Sequence, residues 1–162
     1  MSDFKQIEGL NPQMYDSLHI EDCSWLEAQL DVLSSTHETT STLKDSPDSR
    51  ATVERKVVVF THHPPTSKAS DPKHIDPSYP NPISSGFVND MGKAAEGLEL
   101  SGNPRKRGVL IRPPIRTWAF GHTHWCFDEM QNGVRLVSNQ RGYRDGKENR
   151  DLHFRKDFVI VL

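Results

Sequence analysis

Apolar residues in this chain come in short blocks separated by long polar stretches, and the blocks differ in period. From Asp22 to Ser34 the apolar positions Trp25, Leu26, Leu30 and Leu33 recur at helical spacing, which predicts an amphipathic helix over 22–34. Asp22 is placed to cap it, its carboxylate accepting from the first free backbone N–H groups. Trp25 is expected in the core. Val57-Val58-Val59-Phe60 is a continuous β-branched and aromatic run and predicts a strand buried on both faces. Three more strands are expected at Arg116–Phe120, at Gly133–Ser138, and at Asp157–Leu162 with its run Phe158-Val159-Ile160-Val161-Leu162. Phe87–Leu100 reads as a short helix.

Between these blocks the chain changes character. Residues 34–54 are rich in hydroxyl and charged side chains and have little to bury against the entropy of ordering. They read as a flexible insertion, with His37 solvated. Residues 64–86 carry six prolines, from Pro64 to Pro82, and read as a long surface loop of the kind that covers sites. Residues 101–114, with Gly102, Pro104, Pro113 and Pro114, read as a second irregular insertion. Helices and strands alternate without repeats, so the expected class is α/β with a layered sheet.

Composition narrows the picture. With 162 residues, 34% of them hydrophobic, and a mean hydropathy of -0.68, the chain fits one domain (1–162) with part of its length outside the core. A formal net charge of -2 points to neither a general nucleic-acid surface nor an anionic-membrane surface. Arg105-Lys106-Arg107 is expected to be a solvated loop. Cys23 and Cys126 fit no metal-ligand spacing and suit a reduced intracellular protein, with a single disulfide as the alternative. No stretch approaches the ~20 apolar residues of a membrane span, and the N-terminus lacks a signal-peptide layout. The cytoplasm is therefore the default compartment, and composition is silent on oligomeric state.

The chemistry concentrates in two histidine clusters, each directly behind an apolar run. Thr61-His62-His63-Pro64-Pro65 follows Val57–Phe60, and Gly121-His122-Thr123-His124 follows Trp118-Ala119-Phe120. In open α/β sheets ligands gather at the carboxyl ends of strands. The i, i+2 spacing lets both imidazoles of His122 and His124 leave one side of an extended turn, with Gly121 expected to supply a sharp bend. Neutral imidazole is a good ligand for zinc, iron or manganese. Outside the clusters, Asn139 and Arg141 follow a predicted strand closely enough to reach a phosphate or the metal loop. Asp16 and His19, ahead of the predicted helix, are candidates to face the same opening.

Taken together, Val58-Val59-Phe60-Thr61-His62-His63-Pro64 and Phe120-Gly121-His122-Thr123-His124 resemble the fourth and fifth motifs of the calcineurin-like metallophosphoesterases. The tract Val134–Tyr143 is similar to the segment that follows the fifth motif in one branch of that superfamily. The stretch from Asp16 through His19 and Asp22 to Trp25-Leu26 is similar to the helix before the fourth. The resemblance implies the C-terminal half of a layered β-sandwich flanked by helices. It also implies hydrolysis of a phosphate-ester substrate by water activated between two metal ions (iron, zinc or manganese). Carried over by position, it assigns His62 and His122 to one ion and His124 to the other, with His63 orienting the loop or facing the substrate.

The family's upstream motifs (Asp-x-His, Gly-Asp-x-x-Asp and Gly-Asn-His) do not precede His62. Gly102-Asn103 runs into Pro104, Asp71 and His74 have the wrong spacing, and Asp151-Leu152-His153 lies after the fifth motif. The bridging carboxylate is unassigned, and the expectation is a truncated domain. The alternative is a non-catalytic remnant that binds a partner or a single metal. A zinc hydrolase of the lactamase type would need His-x-His-x-Asp-His. Asp128 follows His124 by four residues with no histidine behind it.

Overall fold

The computed structural model describes residues 6–41, 56–70, 91, 95–98, 105–107, 109–142 and 154–162. Within them the protein is mixed α/β. A helix, α1 (Pro12–Ser41), precedes strands β1 (Val57–Phe60), β2 (Ala95–Leu98), β3 (Arg105–Arg107), β4 (Ile115–Ala119), β5 (Phe127–Gln131) and β6 (Val134–Ser138). A 3-10 turn at Ser67–Ala69 follows β1.

Four strands form one sheet in the order β1-β4-β6-β5. β1 runs parallel to β4, in a register that sets Val59 beside Trp118 and Phe60 beside Ala119. β4 runs parallel to β6, pairing Trp118 with Leu136 and Ala119 with Val137. β5 runs antiparallel to β6. The hairpin between them turns at Asn132-Gly133, both in the left-handed region at φ 51° and 78°, as a two-residue turn with right-handed strand twist requires. β2 and β3 pair antiparallel as a separate two-stranded sheet.

The core lies between α1 and one face of the larger sheet. Trp118, Ile115, Leu136 and Val134 are fully buried, and Cys23 and Leu30 of α1 join the same cluster, with Leu26 and Val59 packed against it. Asn11 caps α1, its side-chain oxygen accepting from the N–H of Met14 at 2.8 Å, and Pro12 fills the first helical position, where a missing N–H costs nothing. Arg112 forms an ion pair with Asp31 and so ties the loop before β4 to the helix.

Several sequence expectations are corrected. The helix is longer than 22–34, and Asp22 lies inside it rather than at its start; Asp16 and His19 are likewise helical. Trp25 is 65% exposed, because at roughly 100° per residue it sits about 200° from Cys23, whereas Leu26 and Leu30 fall within about 60° of it. The expected flexible insertion is helical through Ser41, and 42–55 lie outside the described residues. β1 is the outer strand of the sheet, with its valines half-buried and Phe60 76% exposed, so it is not covered on both faces. Residues 158–162 form no strand, and Val159, Val161 and Leu162 are exposed.

Residues 95–98, expected to be helical, form β2, and Arg105-Lys106-Arg107 is β3 rather than a loop. The stretch read as an irregular insertion also feeds the core. Leu110 and Ile111 are fully buried, and their N–H groups donate to the carbonyl of Met91. Strand β5 is an element that the hydrophobic pattern does not predict. Of the proline-rich loop, Pro64 and Pro65 are buried, and 71–86 lie outside the described residues. No helix among the described residues is long and apolar enough to cross a membrane.

Candidate metal centre

Because β1, β4 and β6 are parallel, their carboxyl ends open on the same edge of the sheet. His62 and His63 follow β1, the Gly121–His124 turn follows β4, and Asn139-Gln140-Arg141 follows β6. Sequence segments far apart are thus delivered side by side, at the edge where ligand sites in such sheets form.

Backbone pairing carries on past the strand ends. Thr61 N–H donates to Ala119 O at 3.1 Å, and Gly121 N–H donates to His62 O at 3.0 Å. The two histidine loops are therefore stitched to each other. Thr61 adds a side-chain brace, with its hydroxyl donating to His63 O at 2.7 Å and accepting from Trp118 Nε1 at 2.9 Å. A buried indole beneath the sheet thereby positions the loop that carries two imidazoles.

Three imidazoles converge. His62, His63 and His122 each offer a ring nitrogen, and these nitrogens all lie within 4.8 Å of one another. The ring centroids are 4.3 Å apart for His63 and His122, 4.7 Å for His62 and His122, and 5.0 Å for His62 and His63. Nδ1 of His122 and Nε2 of His62 stand 2.9 Å apart, a hydrogen bond in which one ring donates and the other accepts. Two nitrogens bound tetrahedrally to one zinc at about 2.0–2.1 Å would sit about 3.3 Å apart. The donor set and the spacing of this pair therefore fit a metal ion after small ring adjustments, the ring that donates in the His62–His122 bond carrying its proton on its other nitrogen when it ligates.

His124 stands apart from this trio. His122 and His124 both take left-handed backbone angles, φ 70° and 54°, which for a side chain with a Cβ is a strained conformation often found at functional sites. Gly121 does not need the freedom expected of it. A Cβ there would make only ordinary contacts, with His62 O at 3.7 Å and Gln140 Oε1 at 4.0 Å. The His124 N–H donates to Gln140 Oε1 at 2.9 Å, and the Thr123 hydroxyl donates to Ala69 O at 3.0 Å.

Residues outside the two motifs hold the turn in place. The Gln140 amide nitrogen donates to Trp125 O at 3.0 Å and to Thr123 Oγ1 at 3.3 Å, so a single side chain spans the whole turn. Cys126 Sγ accepts from Gln140 N–H at 3.2 Å. Tyr15 of α1 places its hydroxyl 3.5 Å from Nδ1 of His63. Neither Gln140 nor Tyr15 is among the residues that the sequence singles out. For Gln140 the available signal is its position directly past a strand that parallels β4. Tyr15 carries none.

The remaining predicted residues fall elsewhere. His19 contacts the Cys23 thiol at 3.6 Å within α1. Asp16 is exposed on the helix and Arg141 is exposed past β6. Asn139 uses both ends of its amide on the backbone of Arg155, donating to its carbonyl at 2.7 Å and accepting from its N–H at 2.9 Å. Both cysteines are free thiols. Asp71, His74, Gly102, Asn103, Asp151 and His153 lie outside the described residues.

No family model matches the chain, and no solved structure matches it. Over 98 residues it is 26% identical to "Uncharacterized protein L509" of Acanthamoeba polyphaga mimivirus, a stretch that makes up 59% of this chain and 29% of that protein. The chain thus matches less than a third of the length of this relative, whose name states no activity.

Proposed function

We propose that this chain carries the metal-binding edge of a metal-dependent phosphate-ester hydrolase. The observation that carries the reading is the convergence of His62, His63 and His122 at the carboxyl ends of the parallel strands β1 and β4. The resemblance of the two histidine motifs to those of metallophosphoesterases supports it, and with it the finer reading of the sheet as part of a metallophosphoesterase-like sandwich.

Three imidazoles, the first of them exposed, form a donor set of the kind that holds a catalytic ion. An ion held there would supply Lewis acidity for attack of water on phosphorus. The chain's own contribution is positional. Thr61 and Trp118 fix the first loop, Gln140 fixes the second, and the bond between Gly121 and His62 fixes the distance between them. This geometry favours His63 over His124 as the third ligand, in contrast to the assignment carried over from the resemblance.

Titration of the metal-free chain with zinc, paired with phosphomonoesterase and phosphodiesterase assays in manganese, zinc or iron, tests the proposal. Uptake near one equivalent is expected, weakened at least about tenfold by His62→Ala, His63→Ala or His122→Ala and preserved in His124→Ala, with turnover lost in His122→Ala. Zinc uptake indifferent to all three substitutions would overturn the metal centre.

A second reading is favoured by the composition of the cluster. Among the described residues it contains imidazoles and no carboxylate, so a bridging acid for a second ion is lacking there. On that reading the chain is a single-metal binding module without catalysis, and it predicts zinc uptake with the same histidine dependence but hydrolysis equal in wild type and His122→Ala.

A further inference from the structure

An open groove of about 630 Å³ lies beside the histidine turn, on the β5 side of the sheet. Its size falls in the roughly 300–1,000 Å³ range of small-molecule sites. Trp125, Phe154 and Phe158 supply aromatic walls, and Lys68 and Arg155 supply cations. Two features link the groove to the histidine turn. Trp125 directly follows His124, and the neighbour of Lys68, Ala69, accepts the Thr123 hydroxyl with its carbonyl.

The far wall is held in place. Asn139, just past β6, clamps the backbone of Arg155 with two hydrogen bonds, and the Arg155 guanidinium carbon sits 4.5 Å from the centre of the Phe158 ring. A planar cation over an aromatic ring is a stable arrangement that leaves guanidinium edges for a ligand. The groove also contains two acids. Asp128 is taken up by Arg135 in a two-pronged pair at 2.7 and 2.8 Å. That leaves Glu129 against Lys68 and Arg155, a local excess of positive charge on a chain of net charge -2.

The geometry points to this groove as the binding site for a small phosphate compound bearing a planar heteroaromatic ring, with the ring against Trp125 or the phenylalanine wall and the phosphate drawn by Lys68 and Arg155. Aromatic faces accept flat rings whatever their hydrogen-bonding pattern, and guanidinium groups match phosphate oxygens in pairs. The inference rests on the hydrolase reading only in naming a phosphate ester as ligand, since the groove itself contains none of the three converging histidines.

Calorimetric titration of the full chain with adenosine 5′-monophosphate, adenosine and inorganic phosphate, in the absence of metal, tests it. Saturable binding of the nucleotide is expected, at least about tenfold tighter than of either part alone. Lys68→Glu and Arg155→Glu should each weaken it at least about fivefold, and Trp125→Leu should weaken it with an unchanged dependence on salt. The titration contains no metal and the groove contains none of the three converging histidines, so a failure here is separable from a failure of the metal centre. Absence of saturable binding, equal binding of inorganic phosphate, equal binding of adenosine, or indifference to both charge reversals overturns the inference. Lys68 and Arg155 are exposed, and Trp125 is half-buried against the core. A thermal melt on each variant identifies any substitution that has unfolded the chain, and the two charge reversals, on separate segments, serve as independent checks.

Discussion

Gln140 accepts the backbone N–H of His124 at 2.9 Å while its amide nitrogen donates to the carbonyl of Trp125 at 3.0 Å. The histidine turn is therefore held by a side chain from the neighbouring parallel strand's end, and its left-handed angles at His122 and His124 persist because that side chain over-determines them. Replacing Gln140 by leucine keeps the bulk but removes the acceptor of the His124 N–H, while the Trp125 carbonyl keeps the Ser138 hydroxyl at 2.7 Å. Gln140→Leu is expected to cost about 1–3 kcal/mol, read as a lower urea midpoint, and to weaken zinc uptake. An unchanged midpoint would show that water replaces the amide at no cost.

A related relationship ties the first loop to the core. Trp118 is fully buried and its Nε1–H reaches Thr61 Oγ1 at 2.9 Å, while the same hydroxyl donates to His63 O. Thr61→Val preserves shape and removes both bonds, leaving a buried indole N–H unpaired. The expected loss is about 1–3 kcal/mol in urea unfolding. Trp118→Phe together with Thr61→Val should cost less than the sum of the two single changes, because the orphaned donor is gone. Additive losses would place the stabilisation elsewhere.

The parts of this arrangement legible in the sequence are those where apolar runs end in histidine. Val57–Phe60 and the run before Gly121 mark two strands and their loops, and the parallel pairing of β1 with β4 brings those loops together. Which histidine joins His62 and His122 in the cluster is not legible, because it depends on how each loop turns, and those turns are braced by Thr61 within the first loop and by Gln140 from past β6 in the second. Strand β5 was obscured by its polar sequence, Phe127-Asp128-Glu129-Met130-Gln131, most of which is exposed. Its cue was the Asn132-Gly133 turn, a hairpin signal independent of hydrophobic pattern. The tail Phe158–Leu162 misled in the other direction, since composition suited to a strand does not supply a pairing partner.

Asp128 and Arg135 face each other across the β5–β6 hairpin. The hydrogen bonds from Arg135 hold the Asp128 carboxyl below its ordinary value of 3.8, burial opposing the shift and the charges of Arg135 and Arg155 adding to it. A carboxyl lowered in the folded state stabilises fully above its unfolded value and loses that contribution as pH falls below about 3.8 towards its folded value. Both side chains are about one third exposed, so screening keeps the contribution small. Asp128→Asn is expected to cost under about 1 kcal/mol at pH 7. In denaturant melts run from pH 7 to pH 2, the gap between wild type and variant should stay constant down to about pH 4 and close below it. A gap that widens towards acid would contradict the ion-pair assignment.

The three tryptophans occupy different environments, and this makes the placement of α1 measurable. Trp118 is fully buried, Trp125 is half-buried at the groove, and Trp25 is 65% exposed on the outer side of the helix. On the opposite side of α1, Leu30 is fully buried and Cys23 nearly so. Trp25→Phe should therefore change stability by no more than about 0.5 kcal/mol, as for ordinary surface substitutions. It should also remove the red-shifted, acrylamide-accessible part of the emission. Leu30→Ala removes a side chain with no solvent exposure and is expected to cost about 2–5 kcal/mol through lost burial and the cavity left behind. The two results together decide which face of the helix meets the sheet. A stability loss at Trp25 as large as that at Leu30 would mean that the helix is rotated about its axis, with Trp25 rather than Leu30 against the sheet and Tyr15 turned away from His63 in consequence.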